Sequence, residues 1–178
     1  MIDKASRAPF HPKEEITLGF HILNYNQGLV QFADSKAHAL LLINSIFIAS
    51  LGPFLEKLST ASPMPDRVKV VLAVFGVTAV VSIIASLAVF VTRNPPISAH
   101  RSNGLVYFGD ILQKKNVDSY IHEVRHIECG QFQEQLLANA YDVSHIAARK
   151  FAIYGFGQLA TLVSCASWII TILFCCFG

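Results

Sequence analysis

Residues 70–92 read VVLAVFGVTAVVSIIASLAVFVT, an apolar run that contains no Asp, Glu, Lys or Arg. A similar uncharged run precedes it at 37–55, and another follows it at 152–177. A bilayer core about 30 Å thick is crossed by roughly 20 residues of α-helix. Each run is long enough to do this. The three runs therefore predict an all-α integral membrane protein with three transmembrane helices.

The composition supports a membrane protein over a soluble one. The 178 residues are 53% hydrophobic with a mean hydropathy of +0.46, which is too apolar for an ordinary soluble domain. Core helices of a soluble protein would also show a polar face, and these runs do not. The net charge of +2 is too small to indicate a nucleic-acid polymer as partner. The four cysteines have no CxxC spacing, so neither a disulfide framework nor a zinc ribbon is indicated.

The distribution of positive charge predicts the orientation. The residues before the first run, together with 93–150, hold eleven of the fourteen Lys and Arg residues. These two regions share a side of the membrane because two spans separate them. The positive-inside rule places both on the cytoplasmic side of the membrane. Residues 1–12 contain two prolines and no apolar signal-peptide core, so we expect a loose cytoplasmic tail.

The remaining chain divides around the spans. An amphipathic helical pattern covers 13–36 and enters the first span, 37–55, without a helix-breaking residue. Residues 56–69 contain Pro63 and Pro65 and predict a short outer loop before the second span, 70–92. Residues 93–150 predict a cytoplasmic helical region that precedes the third span, 151–178.

Within that cytoplasmic region, Asn116 is a suitable N-cap for a helix that starts near Val117. We expect this helix to run into the third span, loosened midway by Gly130. Two of the three spans would then be continuous with a small cytoplasmic helical domain.

One motif suggests an enzyme. His122-Glu-Val-Arg-His126 matches the HExxH pattern of zinc peptidases, with Glu123 as base and His145 or Glu134 as a possible third ligand. The charged Arg125 beside these residues is unlike such metal-binding helices. The other interpretation is a solvated helix face, and on this interpretation the chain is not an enzyme and holds no metal or cofactor.

Charged residues border the first and third spans at the same membrane edge. Asp34 and Lys36 precede the first span, and Arg149 and Lys150 precede the third. A carboxylate at the acyl boundary is costly unless it is paired, so the sequence predicts an Asp34–Lys150 pair. The pair is either a structural anchor or a movable latch between cytoplasm and membrane.

Aromatic and polar residues cluster at Tyr107-Phe-Gly-Asp110, after the turn at Asn103-Gly104. They are either the packing core of a small helical domain or a ligand site. As a ligand site, Tyr107 or Phe108 would stack on a base and Asp110 would accept a hydrogen bond from it. Asn103 adjoins this group, and a phosphate would be held by Arg101 or Arg125.

Small residues recur at helical spacing in two spans. In the third span these are Gly157, Ala160, Thr161, Ser164 and Ser167, and in the second Gly76, Ala79, Ser82 and Ser86. Such stripes allow helices to approach closely, either within one chain or between copies.

The sequence Phe32-Ala-Asp-Ser-Lys-Ala-His-Ala-Leu-Leu-Leu-Ile-Asn44 resembles the start of the Pycsar transmembrane effectors, a family of small bacterial membrane proteins of antiphage defence. The segment from Asn103 to Ile111 and the path from Gln135–Asn139 to Lys150-Phe151 are also similar. The resemblance covers roughly residues 20 to 175.

This resemblance implies a function. A partner pyrimidine cyclase would make cyclic CMP or cyclic UMP on infection, and the effector would bind it and impair the inner membrane as a homo-oligomer. No family motif fixes the ligand contacts. Two alternatives stay open, namely a zinc-dependent membrane peptidase and a structural membrane subunit without ligand.

Overall fold

The computed structural model describes residues 12–61, 65–92 and 104–177, and these ranges contain helices and no strand. The helices are α1 (Pro12–Ala61), α2 (Asp66–Val91), α3 (Phe108–Leu112), α4 (Val117–His126) and α5 (Cys129–Phe177). By length and composition, α1, α2 and α5 can each cross a membrane. The prediction of an all-α membrane protein with three spanning helices is confirmed.

The chain forms two compact units. The first comprises Met1–Leu29 and Asn94–Ala147, and the second comprises Val30–Arg93 and Ala148–Gly178. Helices α1 and α5 each contribute to both units, since residues 29 and 30 lie within α1 and residues 147 and 148 within α5. The predicted continuity of the first and third spans with a helical domain is therefore confirmed.

The first unit has a small apolar core where α1 meets α5. Gly19 of α1 lies directly against Leu136 of α5, and the Asn26 side-chain amide donates to the Ala140 carbonyl at 2.9 Å. The buried residues of this core are Leu23, Leu136 and Ala140. The half-buried apolar residues that pack against them are Ile16, Val106 and Val143.

The second unit packs α1, α2 and α5 along their buried strips. Trp168 lies between Phe54 and Phe75, with ring centroids 5.1 Å apart in both cases. Large apolar side chains cover the outer surface of the spans, for example Leu42, Ile84 and Leu159. An apolar outer surface is what a bilayer requires of a spanning bundle.

The connection between α1 and α2 is shorter than the sequence predicts. Helix α1 continues through Pro53 to Ala61, and α2 already begins at Asp66. Much of the predicted outer loop, 56–69, is thus helical. A proline removes a single backbone hydrogen bond, and the residues that follow Pro53 (Phe-Leu-Glu-Lys-Leu) are compatible with a helix.

The helix expected from Val117 into the third span is interrupted. It starts at Val117 with the Asn116 side chain accepting from the Ser119 amide at 2.8 Å, as predicted. It ends at His126, and α5 begins at Cys129, so the break comes before Gly130. The contacts of α4 give a physical reason: Glu123 pairs with Lys114, and Tyr120 donates to the Leu105 carbonyl at 3.4 Å. These tertiary contacts outweigh the local helix propensity.

Candidate functional site

The segment Gly104–Asp110 folds into a tight turn at the start of α3. The Tyr107 carbonyl accepts hydrogen bonds from the amides of Asp110 and Ile111, both at 3.1 Å. The Tyr107 ring lies against Gly109, where a Cβ atom would come within 2.6 Å of the ring. Glycine at 109 therefore gives the ring the space it occupies.

The carboxylate of Asp110 lies against the backbone of Gly104. A Cβ atom at position 104 would collide with Asp110 Oδ2, so this position of the carboxylate depends on the glycine. This oxygen is buried and has no hydrogen-bond partner within the residues that the structure describes. A buried oxygen in this state costs about 1–3 kcal/mol, so it needs a chemical explanation.

Hydrogen bonds anchor the same segment to α4 and α5. The Leu105 amide donates to Gln135 Oε1 at 2.8 Å, and the Leu105 carbonyl accepts from Tyr120. Leu105 itself is buried, and Val106 packs on the core of the first unit. The turn is therefore held on a rigid base, which suits a site that must keep one geometry.

The other predicted ligand residues are less fully placed. Arg101 and Asn103 lie outside the described residues, and Phe108 is the first residue of α3. Arg125 lies in the last turn of α4 and is exposed. The structure thus brings Tyr107 and Asp110 into one turn and puts Arg125 on a separate helix.

The HExxH residues are occupied by other contacts. Glu123 Oε2 lies 2.5 Å from the ammonium of Lys114, whose side chain is only 6% exposed. The rings of His122 and His126 stack with centroids 4.1 Å apart, and His126 Nδ1 lies 2.7 Å from the His122 carbonyl. Within the described part of the chain no three His, Cys, Asp or Glu side chains are grouped to hold a metal. A zinc site would need both a third ligand and the release of Glu123.

At the predicted membrane edge of the second unit, Asp34 and Lys150 form an ion pair. Lys150 Nζ lies 2.5 Å from Asp34 Oδ1, with side-chain exposures of 5% and 33%. The ring centroids of Phe32 and Phe151, which are close to the pair in sequence, lie 6.3 Å apart. The side chains meet as the sequence predicts, and the arrangement suits a pair at an acyl boundary.

The two other charged residues at this edge are outside that pair. Lys36 is exposed, and its ammonium lies 5.1 Å from the centre of the Phe32 ring. Arg149 is also exposed. Both side chains therefore suit a contact with the headgroup region.

Sequence reasoning missed a polar network inside the spans. Asn44 of α1, Ser82 of α2 and Thr161 of α5 are buried and joined by hydrogen bonds. Ser82 and Thr161 belong to the stripes of small residues, but that spacing alone does not predict that both contact the Asn44 side chain. The available signal was Asn44 itself, the single amide side chain in the run 37–55.

Comparison with known proteins identifies the family. A family model described as the Pycsar effector protein domain matches residues 19–177, nearly the whole chain. No curated protein and no solved structure matches the sequence. The matched range contains the turn at Tyr107–Asp110, the Asp34–Lys150 pair and all three apolar runs. The chain therefore belongs to the Pycsar effector family.

Proposed function

We propose that this protein is the membrane effector of a cyclic-pyrimidine-nucleotide defence system. It binds cyclic CMP or cyclic UMP made by a partner cyclase and then impairs the bacterial inner membrane as a homo-oligomer. The observation that carries the proposal is the family match over residues 19–177 on a chain with three helices able to span a bilayer. Neither catalysis nor a cofactor is required for this function.

The turn at Tyr107–Asp110 is the part of the first unit that best suits a pyrimidine. The buried Asp110 Oδ2 lacks a partner among the described residues, and it can accept from the cytosine amine or the uracil N3–H. The Tyr107 ring of the same turn packs against Gly109 and would offer a stacking surface. Arg101 or Arg125 would hold the cyclic phosphate, and Asn103 and Phe108 would contribute to binding the base.

The signal then has a continuous covalent route into the spans. Helices α1 and α5 contribute to both units without a loop at the boundary. The Asp34–Lys150 pair joins the same two helices just beyond that boundary. We infer that ligand binding changes the balance of this pair, which then acts as a latch on the spanning bundle.

Calorimetry on the detergent-solubilised protein with cyclic CMP and cyclic UMP tests the binding step. Asp110→Asn and Tyr107→Leu should each weaken binding about tenfold, because a hydrogen bond to a charged acceptor or a stacked ring contributes about 1–3 kcal/mol. Asp118→Asn is the matched control, since Asp118 is exposed in the first turn of α4. It should bind as the wild type does.

Membrane potential in expressing cells tests the output and separates the alternatives. Nucleotide-dependent depolarisation that survives His122→Ala supports a non-enzymatic effector. Loss of activity in His122→Ala together with bound zinc would favour the peptidase. Absence of binding and of depolarisation with both nucleotides would refute the proposal and leave the structural subunit. His122 is the better probe, because Glu123→Ala also removes the ion-pair partner of Lys114.

A further inference from the structure

The three spans meet at one buried amide. Asn44 Nδ2 of α1 lies 2.8 Å from the Leu40 carbonyl, 3.0 Å from Ser82 Oγ of α2 and 3.1 Å from Thr161 Oγ1 of α5. The carbonyl can only accept, so it fixes which end of the amide carries the hydrogens. Asn44 Oδ1 is left buried without a hydrogen-bond partner within the described residues.

Close approach of α2 and α5 completes this network. Ser82 Oγ and Thr161 Oγ1 are 2.5 Å apart, and each lies 3.0 Å from the Gly157 carbonyl. A Cβ atom at Gly157 would come within 3.2 Å of the Ala85 side chain, so glycine permits the approach. The network therefore links all three spanning helices.

Two further buried oxygens flank the network along the helices. Ser86 lies one turn beyond Ser82 on α2, and Ser164 lies three residues beyond Thr161 on α5. Since Gly157 contacts Ala85 and Thr161 contacts Ser82, α2 and α5 run antiparallel. The two serines therefore lie on opposite sides of the network. Both Oγ atoms are buried and lack a hydrogen-bond partner within the described part of the chain.

Several other hydroxyls in the spans are bonded to their own helix. Ser45 donates to the Leu41 carbonyl at 2.8 Å, Thr78 to Val74 at 2.8 Å and Thr171 to Ser167 at 2.9 Å. This is the usual way to satisfy a hydroxyl in a spanning helix. Ser86 and Ser164 depart from it, and a buried hydroxyl oxygen without a partner destabilises the resting bundle.

We propose that these oxygens line the permeation path of the active protein for water and small monovalent cations. This polar column comprises Ser86, the Asn44–Ser82–Thr161 network and Ser164. When the bundle loosens, water hydrates the unpaired oxygens. Amide and hydroxyl oxygens without formal charge suit monovalent cations better than anions. The inference rests on the proposed function and places the membrane lesion inside the bundle.

Potassium efflux from proteoliposomes tests the column. In the double variant Ser86→Ala and Ser164→Ala we expect nucleotide binding to be unchanged and thermal stability to be equal or higher. Stability is kept or raised because the resting bundle no longer contains these unpaired groups. Efflux with cyclic CMP or cyclic UMP should fall about tenfold or more, because the active path loses the oxygens that water hydrates. Ser45→Ala, on the exposed side of α1, is the matched control and should leave efflux unchanged.

A charged variant tests the column without nucleotide. Asn44→Asp places a carboxylate at the centre of the network, which must be hydrated to stay ionised. At pH 8 we expect a nucleotide-independent potassium leak about tenfold above that of the resting wild type. If this variant leaks but the wild type shows no nucleotide-dependent efflux, the permeation path through the column is supported and the proposed function is refuted.

Two results would refute the proposal that the polar column lines the permeation path. One is full nucleotide-dependent efflux from the Ser86→Ala and Ser164→Ala variant, which would place the lesion between subunits or in the lipid. The other is an inserted, helical Asn44→Asp protein that leaks no more than the wild type.

Discussion

At the residue scale, two glycines of α1 have opposite surroundings. A Cβ atom at Gly19 would lie 2.7 Å from Leu136 Cδ2, whereas one at Gly28 would meet nothing within 4 Å. Leu136 is fully buried and cannot swing away freely. Gly19→Ala should therefore cost about 1–3 kcal/mol by overpacking, against a gain of about 1 kcal/mol in helix propensity. Gly28→Ala should give that gain alone.

Thermal unfolding in detergent measures both changes. We expect the melting temperature to fall for Gly19→Ala and to rise for Gly28→Ala. The two variants share the chemistry and the helix, so each serves as the other's control. Equal shifts in the same direction would contradict the contact between Gly19 and Leu136.

Some residue-level features can be predicted from the sequence, and others require the fold. The Asn116 cap is local, because its partner Ser119 lies in the next turn, and it was predicted. The roles of Gly104 and Gly109 depend on which side chain folds against each of them. The pairing of Asn44 with Ser82 and Thr161 depends on the rotation of three separate helices, which a single sequence does not specify.

At the element scale, the Asp34–Lys150 pair joins α1 to α5. If it is a latch present in the resting state, Asp34→Asn should lower the nucleotide concentration for half-maximal depolarisation. Loss of one partner of a fully buried pair costs 3–5 kcal/mol, and the exposure of Asp34 reduces this to about 1–3 kcal/mol. We expect a threshold at least about fivefold lower, measured by titration of the nucleotide.

Lys36→Gln is the control for that experiment. It removes a cation two residues away whose ammonium lies over the Phe32 ring. It should leave the threshold unchanged. If Asp34→Asn lowers the melting temperature but not the threshold, the pair is an anchor and the latch is wrong.

Whole helices were predicted where the pattern is long and uninterrupted. The spans and the continuity of α1 follow from uncharged runs and from the lack of a breaker before 37–55. The break at 127–128 was not predicted, because the contacts of α4 with Lys114 and Leu105 are tertiary and do not show in the local helical pattern. The extension of α1 to Ala61 was missed, because prolines at 63 and 65 suggested an earlier end.

At the scale of the whole molecule, the charge distribution predicts that Cys129 is cytoplasmic. Cys129 is exposed at the start of α5. In a chain whose other cysteines are replaced by serine, an impermeant maleimide should label Cys129 in inside-out vesicles and not in spheroplasts. In a chain without cysteine, Asp66→Cys at the outer end of α2 should give the opposite result. Labelling of Cys129 from outside would reverse the proposed orientation.

The architecture as a whole can be predicted from the sequence, whereas the candidate ligand site can be predicted only in part. The length of an apolar run and the number of Lys and Arg residues can be counted directly in the sequence, so they predict the spans and their orientation. A ligand site depends on how distant segments meet. The sequence singled out Tyr107 and Asp110. The segment that carries them is anchored by a hydrogen bond from the Leu105 amide to Gln135, and these two residues are thirty positions apart.

The continuity of α1 and α5 across the two units has a consequence for exchange between relatives. A sensor joined by flexible linkers tolerates insertions and swaps. Here each added residue at the junction turns the following helix by about 100° and advances it about 1.5 Å. A viable chimaera must therefore preserve helical phase in two helices at once. Recombination that replaces the first unit is restricted to crossovers that conserve the residue count in both helices.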